Sequence, residues 1–412
     1  METRLADWIR NTPEGHEADA ILRSCVHCGF CTATCPTYQL LGDELDGPRG
    51  RIYQIKQVLE GATPTRSTQV HLDRCLTCRA CETTCPSNVH YGRLLDIGRR
   101  VVDERLTRPP GERLARALLR WSLSSRRVFG AALRVGRLCR RWLPRRLGAK
   151  VIPDGGAGRW PERKHARRVL FLSSCTQGAL LPGIDRAAAR VLDALDISVV
   201  VASGSGCCGA IREHLGDHLG GLEAARRNIE AWWPYVEDGV EALVMTASGC
   251  GLQVKDYGRA FALDTTLATR AARISALTMD LVEWLAPQAE VLRLIVGAAS
   301  PLPIAFHAPC TLQHGQKLVG RTEGLLAALG ARLVPVRESH LCCGSAGAYS
   351  LVQPGLSGEL RDRKLGALLE NAPQAILSAN VGCIAHLQSA TTVPVRHWIE
   401  WVADRLAKAL PK

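Results

Sequence analysis

Nowhere in this chain do eighteen or so apolar residues run together, the length a membrane-spanning helix needs. Its first twenty residues are polar and charged, without the apolar stretch of a secretory leader. No Gly-x-Gly-x-x-Gly opens a helix after a strand. Gly204-Ser205-Gly206 runs into Cys207 instead, so the fingerprint for a flavin or nicotinamide is absent. No nucleic-acid reader motif or cluster of stacking aromatics accompanies the basic residues, which argues against nucleic acid as a partner. Cysteine, by contrast, is abundant, with 17 in 412 residues. Without a leader, that number points to a reducing cytoplasm and to metal ligation rather than disulfides. The expectation is a cytoplasmic protein, soluble or peripheral on the cytoplasmic face of the inner membrane, and never integral.

Eight of the cysteines form one pattern written twice: Cys25-x2-Cys28-x2-Cys31-x3-Cys35-Pro36 and Cys75-x2-Cys78-x2-Cys81-x3-Cys85-Pro86. This is the bacterial ferredoxin run, in which each motif gives three thiolates to one cluster and its last cysteine to the other. One 4Fe–4S cluster then takes Cys25, Cys28, Cys31 and Cys85, and the second takes Cys75, Cys78, Cys81 and Cys35. The tight spacing wraps backbone amides round each cluster, and the proline turns the chain away without a competing N–H. Zinc sites usually close with two separated pairs and do not need this run. The reading is an electron carrier.

Such a carrier accounts for only part of the length, so two or three domains are expected. Residues 1–105 read as the ferredoxin-like unit. Residues 106–165 read as a basic helical segment and linker, ending in Pro153-Asp154-Gly155-Gly156-Ala157-Gly158. Between Arg99 and Lys150 stand 16 Lys plus Arg against Asp103, Glu104 and Glu112, a surplus equal to the +13 of the whole chain. Leu114, Ala117, Leu118 and Trp121 recur at helical spacing among Arg113, Arg116 and Arg120. Leu133, Leu138 and Trp142 follow among Arg134, Arg137, Arg140, Arg141, Arg145 and Arg146. An interfacial helix on anionic lipid, a helix docked on a partner subunit and a solvated linker helix all fit this pattern.

A repeat follows the linker. Cys175, Cys207-Cys208-Gly209 and Cys250 recur as Cys310, Cys342-Cys343-Gly344 and Cys383, with a first interval of 32 residues in both copies. The second interval is 42 in one copy and 40 in the other. The copies set two lobes, 166–295 and 296–412. Apolar runs precede the cysteines, at Val169–Leu172, Ile197–Val201 and Leu243–Met245, then Ile304–Phe306, Leu333–Val336 and Ala375–Leu377. Helical stretches such as Gly183–Leu195 and Leu222–Trp233 lie between them. Strands alternating with helices predict parallel sheets, with the cysteines beyond the strand ends where ligands bind. The fold class is α+β and multidomain: a helical two-cluster domain followed by two α/β cysteine-rich lobes. Cys139 lies outside every pattern.

Two ferredoxin motifs followed by two Cys…Cys-Cys-Gly…Cys lobes resemble a family of electron-transfer subunits, including heterodisulfide reductase-like, anaerobic glycerol-3-phosphate dehydrogenase and lactate-utilisation proteins. The strings Cys25–Tyr38, Gly42–Ile52, Leu72–Cys78, Thr246–Gly251 and His340–Gly347 most resemble the glycolate oxidase iron–sulfur subunits. The resemblance implies a glycolate dehydrogenase in which FAD-binding partner subunits oxidise glycolate to glyoxylate, with D-lactate also accepted. This chain would pass the electrons towards an acceptor such as membrane quinone. Lactate and glycerol 3-phosphate enzymes remain alternatives, as does a thiol–disulfide reductase, or a zinc scaffold that assembles flavin subunits. The fullest form of the repeat ends Cys-x-x-Cys, but here the last positions are Gln253 and His386. Cys175, Cys207, Cys208 and Cys250, and Cys310, Cys342, Cys343 and Cys383 with His386, are candidate sites for zinc or a further cluster. His307, His314 and His340 are candidate donors around the second set.

Overall fold

The computed structural model describes residues 1–139, 158–172, 174–297 and 300–409. Arg140, Arg141, Trp142, Arg145 and Arg146, and most of the linker, lie outside the described residues. The chain divides into two compact units, 1–116 with 340–364, and 117–339 with 365–412.

The first unit is helical. Pro13 starts the helix Pro13–Ser24, and Thr12 caps it by accepting from the Gly15 amide at 3.0 Å. Pro48 likewise begins the helix Pro48–Leu59. Ile52, Ile55, Val58 and Leu59 of that helix pack with Leu94, Leu95, Val101 and Val102 of the helix Tyr91–Arg105. These two helices approach closely because Gly98 has no side chain: a Cβ there would sit 2.6 Å from Ile55 Cγ1. Cys25 and Cys81 belong to the same buried cluster, with Cys31, Cys75 and Cys85 packed against it. The fold thus brings two sequence-distant cysteine runs to one core.

The second unit holds two four-stranded sheets, both wholly parallel. Strands β1 (Arg167–Phe171), β2 (Ile197–Val201), β3 (Ala242–Met245) and β4 (Thr278–Asp280) stand in the order β2-β1-β3-β4. Strands β5 (Ser300–His307), β6 (Ala331–Val334), β7 (Ala375–Ser378) and β8 (Val395–His397) repeat it as β6-β5-β7-β8. β3 is buried along its whole length, as expected of a parallel strand covered on both faces. The order reverses between β1 and β3, and between β5 and β7, so each crevice opens beyond those strand ends. The apolar runs located six of the eight strands. β6 lies at 331–334 rather than 333–336, and the three-residue β4 and β8 carry no run to reveal them.

Reciprocal contacts join the two sheets' loops within this unit. The Ser248 amide donates to the Ala379 carbonyl at 3.2 Å, and Ser248 Oγ meets Thr311 Oγ1 at 2.7 Å. Gln316 Nε2 donates to the Ser248 carbonyl at 3.0 Å, and His397 Nε2 meets the Thr246 carbonyl at 2.9 Å.

The basic helices divide in their use of apolar side chains. In the helix Arg126–Leu138, Leu133 is only 8% exposed, packed with Leu180 and Val381 beside Phe129 and Ala385. Leu133 is therefore spent inside the molecule rather than offered to a membrane. Leu114, Leu118 and Trp121 of the helix Pro110–Leu123 stay exposed, at 62%, 54% and 64%. Arg116 of that helix is buried against Asp73, 2.9 Å away.

Candidate metal centres

The two ferredoxin-type runs fold alike. His27 and Gly29 have φ of 56° and 86°, and Thr77 and Arg79 at the matching positions have 53° and 60°. Left-handed residues two apart turn successive N–H groups inward, the backbone concavity that binds anionic sulfur. Gly29 is the natural residue there, whereas Thr77 and Arg79 hold the same turn against their preference. Cys35 caps the helix Pro36–Leu41, and Pro86 follows Cys85.

Cys25, Cys28, Cys31 and Cys85 line one cavity, with Cys81, Val89 and Tyr91 also on its wall. Burial raises the Cys25 thiol, and the neighbouring Cys85 and Cys28 raise it further. Cys31 is pushed up to about 11, first by burial, then by Cys25 and Cys28. Cys81 is raised well above its ordinary range by burial and then by Cys78, Cys75 and Cys35. Each group thus draws three cysteines from one run and one from the other. Thiols crowded this way suit a cluster of iron cations, which favours the thiolates and releases their protons on binding.

Beneath the second of these groups lies a charged network that sequence reasoning missed. Asp46, fully buried, is 3.3 Å from Arg51, 2.8 Å from Arg74 and 3.1 Å from His71 Nδ1. Arg51, 1% exposed, donates to the His71 carbonyl at 2.7 Å and to Thr37 Oγ1 at 3.2 Å. The Thr37 hydroxyl donates to the Asp46 carbonyl at 2.9 Å and lies 3.3 Å from Cys35 Sγ. Tyr91 Oη is 3.6 Å from Cys75 Sγ, and Arg99 Nη2 donates to the Cys75 carbonyl at 2.7 Å. The only hint was the string Gly47-Pro48-Arg49-Gly50-Arg51-Ile52, where nothing separates a buried arginine from an exposed one.

In the second unit the structure brings Cys175, Cys207, Cys208 and Cys250 together beyond β1, β2 and β3. Hydrogen bonds from Cys175 and then Cys208 lower the Cys207 thiol, aided by the Gly209 amide at 3.5 Å. Cys175 is raised by its bond to Cys207 and by burial, and Cys208 by its bonds to Cys207 and Cys250 and by burial. Asn228 Nδ2 donates to the Cys207 carbonyl at 3.0 Å, and Tyr257 Oη donates to the Cys208 carbonyl at 2.8 Å. These two polar residues fix the Cys-Cys loop, and neither stands out in the sequence.

Gly209 has a φ of 96°, and a Cβ there would lie 2.8 Å from the Gly221 carbonyl. Gly344 repeats this, with a φ of 83° and the Ser357 carbonyl 2.7 Å from such a Cβ. The second Cys-Cys-Gly therefore makes the same turn, with the Gly344 amide 3.4 Å from Cys342 Sγ. Cys342 and Cys343 belong to the 340–364 segment of the first unit, whereas Cys310 follows β5 and Cys383 lies on the helix Val381–Gln388 in the second unit. His386 is buried one turn beyond Cys383, and His307 Nδ1 meets Ser378 Oγ at 2.9 Å. His314 is also buried. Cys139 caps the C-terminus of the helix Arg126–Leu138.

A helical unit with ferredoxin-type cysteine groups, joined to paired cysteine-rich parallel sheets, defines an iron–sulfur oxidoreductase subunit. Residues 21–89 match the 4Fe–4S dicluster domain family, and residues 169–255 and 304–388 match the cysteine-rich domain family. The chain is 52% identical over 409 residues to the glycolate oxidase iron–sulfur subunit of Escherichia coli (strain K12), across 99% of this chain and 100% of that one. A probable glycolate oxidase iron–sulfur subunit of Bacillus subtilis (strain 168) is 28% identical over 411 residues, covering 92% and 91%. Lactate utilization protein A of Exiguobacterium sp. (strain ATCC BAA-1283 / AT1b) is 25% identical over 226 residues, covering 53% of this chain and 88% of its own. The chain belongs to the family of glycolate oxidase iron–sulfur subunits.

Proposed function

We propose that this chain is the electron-transfer subunit of a glycolate dehydrogenase complex, an oxidoreductase acting on CH–OH with an acceptor other than oxygen. FAD-containing partner subunits oxidise glycolate to glyoxylate, and D-lactate to its keto acid, while this chain carries the electrons towards a membrane acceptor such as quinone. The observation that carries the reading is the two mixed groups of four ferredoxin-type cysteines, in a chain related end to end to glycolate oxidase iron–sulfur subunits. Cys25, Cys28, Cys31 and Cys85 hold one 4Fe–4S cluster, and Cys75, Cys78, Cys81 and Cys35 the other. When bound, such clusters supply one-electron acceptance and release. The left-handed turns at His27, Gly29, Thr77 and Arg79 aim amides at the sulfurs, and the core behind Cys25 and Cys81 excludes water.

Cys175, Cys207, Cys208 and Cys250 hold zinc or a further cluster, and Cys310, Cys342, Cys343 and Cys383 with His386 form the second such set. The working division is 1–105, 106–165, 166–295 and 296–412. No described helix is long and apolar enough to cross a membrane. The exposed face of Leu114, Leu118 and Trp121, flanked by Arg113 and Arg120, is the proposed peripheral contact with the membrane.

The test is anaerobic electron paramagnetic resonance on the chain co-purified with its partners, before and after glycolate. Reduced-cluster signals that appear with glycolate and track glyoxylate formation support the reading. Clusters that dithionite reduces but glycolate does not would move the substrate to D-lactate or glycerol 3-phosphate. Iron and zinc analysis addresses the lobes, since two cubanes alone account for roughly eight irons per chain.

A further inference from the structure

Two of the second group's ligands are met by more than backbone. The Tyr91 hydroxyl points at Cys75 Sγ from 3.6 Å, and the Thr37 hydroxyl lies 3.3 Å from Cys35 Sγ. Thr37 has one hydrogen and two acceptors for it, the Asp46 carbonyl at 2.9 Å and the Cys35 sulfur. Arg51 donates to the Thr37 oxygen at 3.2 Å, so the Thr37 hydrogen is left for one of those two acceptors. The Arg51 charge is almost wholly buried and acts on Cys75, Tyr91, Cys35 and Asp46. Asp46 does not cancel it, because the same carboxylate also serves Arg74 at 2.8 Å. The buried Arg51 charge therefore remains close to these sulfurs, with the exposed Asp43 carboxylate and His71 grouped on the far partner, Asp46.

The first group shares Tyr91 on its cavity wall but has no buried arginine among the described residues lining it. Its Cys28 is exposed, and the neighbouring Arg49 is half-exposed and neutralised by Glu44 at 2.6 Å. Water can stabilise added negative charge there. Around the more enclosed second group the protein must do so itself, because burial disfavours a more negative centre.

We propose that Arg51, Thr37 and Tyr91 raise the reduction potential of the cluster held by Cys75, Cys78, Cys81 and Cys35, offsetting the cost of its burial. The electron comes from the partner's reduced flavin, and each one taken up adds one negative charge. The buried Arg51 guanidinium favours that charge, the Tyr91 hydroxyl hydrogen-bonds more strongly to the more negative Cys75 sulfur, and the Thr37 hydrogen turns from the Asp46 carbonyl towards Cys35. The inference rests on the cluster assignment made above.

The experiment is an anaerobic redox titration of the complex followed by electron paramagnetic resonance. Tyr91→Phe and Thr37→Val each remove one hydroxyl at nearly constant volume. Each should raise the oxidised-to-reduced ratio of one couple by about threefold at fixed potential, a lower midpoint, and leave the other couple in place. Arg51→Gln should shift the same couple by about tenfold, which is 59 mV for a one-electron centre. Arg51→Lys should restore part of that shift. If Arg51→Gln fails to fold because Asp46 loses a partner, the two hydroxyl variants carry the test. Arg49→Gln should not move that couple. Shifts of both couples together, no shift, or an equal shift with Arg49→Gln would overturn the proposal. Absence of any reducible cluster in the unaltered complex would instead remove the cluster assignment itself.

Discussion

Asp280 shows how a single buried carboxyl ties stability to pH. Burial pushes it up to about 7, while the Val282 amide at 3.1 Å, Lys255 and Gln316 work in the opposite direction. Its ordinary value is 3.8, so the folded state favours the protonated form. The associated stability is fully present below about pH 4 and is lost as pH rises towards and through about 7, on the order of 4 kcal/mol. Asp280→Asn keeps a helix-capping oxygen and removes the titration, so unfolding midpoints at about pH 5 and about pH 8 should converge in the variant. A slope equal to the parent's would assign the effect elsewhere. Asn228 sets a second expectation. Replacing it with Ala leaves the Gly206 amide and the Cys207 carbonyl without their partner. The cost should be about 1–3 kcal/mol in denaturant unfolding, since both groups are at least partly buried.

At the scale of elements, glycine positions decide where chains can pass. Gly209 and Gly344 combine a left-handed backbone with a carbonyl already in the place of a Cβ. Ala at either should strain the Cys-Cys turn and lower thermal stability by about 1–3 kcal/mol or more. It should also reduce metal retention measured by elemental analysis. Normal stability in Gly209→Ala would show that the loop relaxes freely. Gly98 is a packing case without backbone strain. Gly98→Val should wedge the helices Pro48–Leu59 and Tyr91–Arg105 apart at Ile55 and shift the unfolding midpoint downward. The capping box Asp280–Glu283 begins the helix Leu281–Leu285, and the His397 ring accepts from the Ile399 amide at the same place after β8. Two strand-to-helix junctions thus share a geometry, and the Asp280 and His397 amides donate to Glu283 and Glu400 in matching Glu-Trp pairs.

For the whole molecule, the exposed face of Leu114, Leu118 and Trp121 gives a direct expectation. Leu118→Gln with Trp121→Gln should reduce binding of the complex to anionic vesicles, measured by co-sedimentation at low salt. Unchanged sedimentation with loss of a partner subunit would make the face a subunit contact. Cysteine spacing made the two ferredoxin-type runs and the repeat legible in advance, because a cluster accepts few spacings and β-α alternation writes apolar runs at regular intervals. It also carried the family resemblance that the full-length relatives bear out. What the sequence could not express is which polar residues turn inward. Arg51, Asp46, Thr37, Asn228 and Tyr257 look like ordinary surface or core residues until distant segments close around them. Burial is a property of neighbours rather than of the residue, as Leu133 and Leu118 show: one apolar theme, one side chain inside and the other in water. The amino-acid order alone determined the iron–sulfur class and the parallel-sheet architecture. Only the tertiary structure decided which charges and hydroxyls surround the sulfurs, because those contacts join residues with no fixed spacing.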